Sequence, residues 1–83
     1  MTLDVLYFAW VRERIGLPRE LIDTQAATVS ALVAELSARE ERYALAFADL
    51  RGLRVALDQE LSDFAAPLSG VREVAFFPPM TGG

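Results

Sequence analysis

The sequence predicts a single α+β domain, a mixed sheet with one main helix packed on one face. Three observations carry this. Strand-like and helix-like segments follow in the order strand, strand, helix, short helix, strand, short strand, strand. Only the segment after Thr28 has a helical stripe of any length. The first strand-like run is apolar on both faces from Val5 on, as a central strand is, or as one is whose second face a partner covers. At 83 residues the chain is one domain. Its 53% hydrophobic content is enough to fold rather than stay disordered.

Residues 3–10 are rich in strand formers. Leu3, Val5, Tyr7 and Ala9 share one face of such a strand, and Leu6, Phe8 and Trp10 the other. Residues 11–16 read as one short helical turn stopped by Gly16, with Pro18 just beyond. Residues 20–23 form a brief second strand, in a loose hairpin with the first. Thr28 is the expected N-cap of the main helix. Val29, Leu32, Val33 and Leu36 then fall at i, i+3, i+4 and i+7, one apolar stripe. Glu35 and Arg39 make an i,i+4 pair on its solvated side. A second short helix is expected over 43–48. Residues 53–57 alternate as a strand, Asp58-Gln59 is a turn, and Glu60-Leu61 returns as a very short strand. Pro67 and Gly70 mark a loop, and 72–77 is the last strand. With the first and last strands side by side at the centre, this is the ubiquitin-like β-grasp arrangement. A ferredoxin-like fold needs a second full-length helix, which residues 61–70 are too short and polar to supply.

Composition removes most chemistries. Net charge is −4, and the cations, all arginine, are scattered, which argues against nucleic acid and favours a basic partner. Without cysteine there are no disulfides and no thiol nucleophile. Without histidine the usual zinc ligands and the commonest general base are missing, so no metal site is expected. Asp58, Glu60 and Asp63 read as structural or solvated carboxylates. The glycines at 16, 52 and 70 are isolated turn residues rather than a phosphate loop. No run approaches the roughly 18 apolar residues of a membrane span, and the first residues lack a basic signal start. The expectation is a soluble, cytoplasmic chain with no membrane partner.

Chemistry therefore falls to the last eight residues. Phe76-Phe77 runs into Pro78-Pro79, which favour an extended path, and then into Met80-Thr81-Gly82-Gly83. The prolines are expected to hold this tail, 78–83, stiff and away from a body of 1–77. Gly82-Gly83 would give it a slim end that a partner's tunnel can accept. Once adenylated by a partner, a terminal carboxylate becomes an acyl group that a sulfur nucleophile can convert to a thiocarboxylate. The chain has no lysine whose amine could consume such a group.

Phe8-Ala9, Val11-Arg12-Glu13 and Gly16 near the start, with Val74-Ala75-Phe76-Phe77-Pro78-Pro79-Met80-Thr81-Gly82-Gly83 at the end, resemble the sulfur-carrier subunits of molybdopterin synthase. The resemblance spans essentially the whole chain. Departures are Met80 in place of a smaller branched residue, Asp58 where Asn is common, and a 69–72 turn without its usual acid. The resemblance implies that Gly83 is adenylated by an enzyme like the ubiquitin-activating enzymes, with ATP consumed there and no cofactor held by the carrier. Gly83 then bears the thiocarboxylate, and Gly82 is the slim spacer. The tail enters a large catalytic subunit in a heterotetramer, two of each chain, and sulfur passes to a cyclic pyranopterin monophosphate. Phe8 and Phe77 are candidates for an open face to which Ala75 also points, with a place in the core as the alternative, and the resemblance adds Leu61 to them as a large-subunit contact. Arg12 and Glu13 are candidates for contact with the activating enzyme, and equally for a local salt bridge or helix-end role. Two other readings stay open: a carrier for another pathway of the thiamine type, or an interaction module with an inert tail.

Overall fold

The structure is a computed structural model and describes residues 1–79. A five-stranded sheet is built from β1 (Thr2–Tyr7), β2 (Arg19–Asp23), β3 (Arg54–Leu57), β4 (Glu60–Ser62) and β5 (Glu73–Phe77), in the order β2-β1-β5-β3-β4. β1 and β5 pair in parallel; every other pairing is antiparallel. The helices are α1 (Ala9–Ile15), α2 (Val29–Arg39) and α3 (Glu41–Ala46), with a 3₁₀ turn at Leu50–Gly52. No helix among the described residues is long and apolar enough to cross a membrane.

The core forms where one face of the sheet meets α2. Leu3, Val5 and Tyr7 of β1 and Val74 and Phe76 of β5 point inward and are fully buried. Alternation along each strand makes this possible. On α2 the four stripe residues, Val29, Leu32, Val33 and Leu36, are all buried. Thr28 caps that helix, its hydroxyl accepting from the Ala31 amide at 3.1 Å. The 63–68 loop clasps the same end. The Val29 amide donates to the Ala66 carbonyl, Ser30 to Phe64, and Leu68 to Ala27, and the Leu68 side chain enters the core. A second full-length helix is indeed absent from this stretch.

The first strand ends three residues earlier than its composition predicts. After Tyr7 the Phe8 amide donates to the Phe76 carbonyl at 3.1 Å, the last bond of the β1–β5 ladder. The Phe8 carbonyl then accepts from the Val11 and Arg12 amides, and the chain turns into α1 through Ala9 at a φ of +53°. Trp10 is therefore not beside Phe8 on a strand face. It lies on α1, half-buried, with the Arg14 guanidinium 4.8 Å from its ring centre. Gly16 ends α1 at a φ of +92°, and its amide donates to the Arg12 carbonyl. α3 starts two residues before the predicted position and ends two before it, because Glu40 closes α2 and opens α3 at once.

Candidate docking face and tail root

Among the described residues no helix covers the second face of the sheet. Strand register places Leu6 of β1 beside Ala75 of β5, Ala75 beside Ala56 of β3, and Ala56 beside Leu61 of β4. These form one apolar row across four strands. Leu61, at its end, is 73% exposed. Phe77, two residues after Ala75, stays on this face, and Phe8, 45% exposed, stands next to it at the close of β1. An open concavity of about 590 Å³ runs along β5, walled by Leu6, Phe8, Phe77, Pro78 and Pro79, floored by Ala75, and closed by Glu73 and Gln59. The predicted contact residues thus share a face. Phe8 and Phe77 wall the concavity directly, while Leu61 lies two strands from Ala75, on the rim of the row.

Pro78 and Pro79, the first two residues of the expected tail, are half-buried and line the concavity at the end of β5. Met80, Thr81, Gly82 and Gly83, the chemical end of the proposed tail, lie outside the described residues.

Charges sit at the margins of the face. Register puts Asp4 beside Glu73, and the Asp4 carboxylate is ion-paired with Arg19 of β2. Arg54 pairs across the ladder with Phe77, at the tail end, and its guanidinium donates only to the Leu53 carbonyl among the described residues. Glu73 makes no side-chain hydrogen bond or ion pair among the described residues. Glu73 is not among the site residues expected from the sequence, although the i, i+2, i+4 spacing of Glu73, Ala75 and Phe77 carries the signal that these three share a face; Gln59 is expected only as a turn residue.

The turn that brings Gln59 here is held by Asp58. Asp58 and Gln59 have φ values of +49° and +72°, the left-handed pair that a tight two-residue hairpin requires. The Asp58 carboxylate accepts from the Arg72 and Glu73 amides at 3.0 and 2.9 Å, and the Asp58 amide donates to the Glu73 carbonyl. The β3–β4 hairpin is thereby pinned to the start of β5. Arg12 and Glu13 are exposed on α1, and neither makes an ion pair among the described residues.

A polar cluster between the sheet and the helices is closed. Tyr7 and Tyr43 both donate to Glu20 Oε2, at 2.8 and 2.5 Å. Burial, then the Glu20 hydrogen bond, raises both phenols, Tyr43 to about 12 and Tyr7 further. Arg42 bridges the cluster to Glu40 and to the Ile15 carbonyl at the end of α1. These groups staple β1, β2, α1 and α3 together.

A parallel central pair, a single helical layer and an open apolar face define a ubiquitin-like β-grasp protein. Solved structures agree: SAMP1 from Haloferax volcanii superposes with a TM-score of 0.74 over the full length of both chains at 20% identity. A Pyrococcus furiosus protein proposed to be subunit 1 of a molybdopterin converting factor gives 0.72 over 96% of this chain and 99% of its own, at 22% identity. Those likenesses show the fold. Sequence goes further: the chain belongs to the ThiS family, whose model matches residues 5–83. Among its relatives are the molybdopterin synthase sulfur carrier subunits of Escherichia coli K12, 43% identical over 98% of this chain and 99% of that one, and of Haemophilus influenzae, 37% identical over the same shares.

Proposed function

We propose that the chain is the sulfur carrier subunit of a molybdopterin synthase, with the Gly83 carbonyl as its reactive group. The observation that carries this reading is the 43% identity to a named carrier over nearly the full length of both chains. The Phe76–Gly83 sequence supports it, since a slim Gly-Gly end with no lysine or cysteine near it suits chemistry on a backbone carboxylate.

In the proposed cycle a Gly83 carboxylate oxygen attacks the α-phosphorus of ATP on an activating enzyme, and pyrophosphate leaves. Hydrosulfide, supplied by the sulfur source, then attacks the acyl carbon, the acyl–phosphate C–O bond breaks, AMP leaves, and loss of the sulfur-bound proton gives the thiocarboxylate. The carrier docks on the large subunit through Phe8, Phe77 and Leu61, as one half of each pair in a heterotetramer. Pro78 and Pro79 start the tail along that covered face, and Gly82 lets it pass into a narrow site. There the thiocarboxylate sulfur goes to a cyclic pyranopterin monophosphate, and water restores the carboxylate. The chain itself contributes docking, direction and the acyl carbon; it binds no cofactor, and the setting is the cytoplasm.

Intact mass spectrometry after incubation with the activating enzyme, ATP and a sulfur source tests this. Replacement of oxygen by sulfur at the terminus adds about 16 Da. No gain, under conditions that thiolate a known carrier, would overturn the proposal.

A further inference from the structure

The concavity on the open face is apolar along most of its length but ends on a carboxylate. Leu6, Ala75 and Phe77 supply the apolar part, and half-buried Glu73 stands at the far end with Gln59 beside it. Asp4, the neighbouring carboxylate in the register, is taken by Arg19. Glu73 has no such partner among the described residues, and a carboxylate open to solvent is satisfied by water.

Docking removes that water. A carboxylate covered by an apolar surface without a counter-charge or hydrogen-bond donor is costly. A face that buries Phe8 and Phe77 must therefore bring something to Glu73 as well. Since the chain is acidic overall, at −4, the complementary group is a cation. The shape agrees: Ala75 leaves the floor open between Leu6 and Phe77, a channel for the aliphatic stem of a long basic side chain. Arg54, opposite Phe77 at the tail end, repels a cation there and so fixes the direction in which the stem lies.

We infer that this concavity receives a lysine or arginine of the large subunit, its stem over Ala75 and its charged head on Glu73. This rests on the reading of the open face as the large-subunit contact. It adds the chemistry of the partner: an apolar surface with one protruding basic side chain, oriented along β5.

Titration calorimetry with the cognate large subunit, over a range of salt concentrations, tests it. Glu73→Gln keeps the side chain's size and leaves the strand's backbone bonds in place. It is expected to weaken binding roughly tenfold and to flatten the salt dependence, with Glu73→Lys weaker still. Glu41→Gln, on the helical layer, is the control and should bind as the wild type. Phe77→Asp is measured alongside, and circular dichroism checks that each variant is folded. If Glu73→Gln binds as the wild type while Phe77→Asp is weakened, the inference fails and the docking face stands. If neither variant is weakened, both fall.

Discussion

Asp58 shows how much one side chain can settle. It occupies a left-handed backbone position that most residues avoid, and its carboxylate serves two amides at the start of β5. Asparagine tolerates the same backbone and keeps an acceptor oxygen; alanine does neither. Asp58→Ala should therefore lower unfolding free energy by about 2 kcal/mol, the sum of backbone strain and two modest hydrogen bonds in a solvated setting. Asp58→Asn should cost less than about 1 kcal/mol. Urea denaturation distinguishes them; equal midpoints for both variants would show that the carboxylate does not hold the hairpin. The sequence marks Asp58-Gln59 as a turn and Asp58 as structural or solvated. It does not show which of these holds, because the two amides that Asp58 serves lie 14 and 15 residues away and meet it only once β5 is placed.

At the scale of elements, helix α2 and the strands were legible because their burial patterns are periodic and local. Val29, Leu32, Val33 and Leu36 announce one face before anything else is known. The end of β1 was not legible. Phe8, Ala9 and Trp10 have strand composition, and what turns them into α1 is the last rung of the ladder to Phe76, a contact distant in sequence. The Tyr7–Glu20–Tyr43 staple is hidden for the same reason: its members come from β1, β2 and α3. Both phenols titrate higher in the folded chain than in the unfolded one, where they ionise near 10. A raised pKa means that the folded state holds the proton more tightly. The stabilisation is whole below pH 10, and the Tyr43 share is lost as pH rises from 10 through about 12. The urea midpoint should thus fall between pH 9 and pH 11 in the wild type. In Tyr43→Phe it should start lower at pH 9, for want of a hydrogen bond to Glu20, and fall less on the way to pH 11. An equal fall in both proteins would remove Tyr43 from the account.

For the molecule as a whole, the proposed division between a body that docks and a tail that reacts sets the decisive comparison. The sequence makes the proposed reactive end legible through the Phe-Phe-Pro-Pro approach to Gly-Gly; it points to Phe8 and Phe77 by strand alternation, and to Leu61 only through the family resemblance. The continuous row that joins them through Leu6, Ala75 and Ala56 depends on the register of four strands, which no local pattern encodes. Nor do the prolines reveal that they line one concavity with Phe8, since that depends on where β1 ends. If the two parts are separable, their lesions should be too. Phe77→Asp places a charge on the apolar face, where covering it is costly, and should raise the Kd for the large subunit by tenfold or more, on the order of 1.4 kcal/mol. Thiocarboxylate formation should persist in that variant wherever the activating enzyme does not share the face. Deletion of Gly83 should do the opposite: loss of sulfur transfer with the large-subunit Kd changed less than about threefold, because a terminal glycine adds little buried surface. Calorimetry for docking and intact mass for sulfur loading, run on both variants, give a two-by-two outcome. A Gly83 deletion that unfolds the domain, or a Phe77→Asp variant that docks normally, would break the separation on which the proposed mechanism stands.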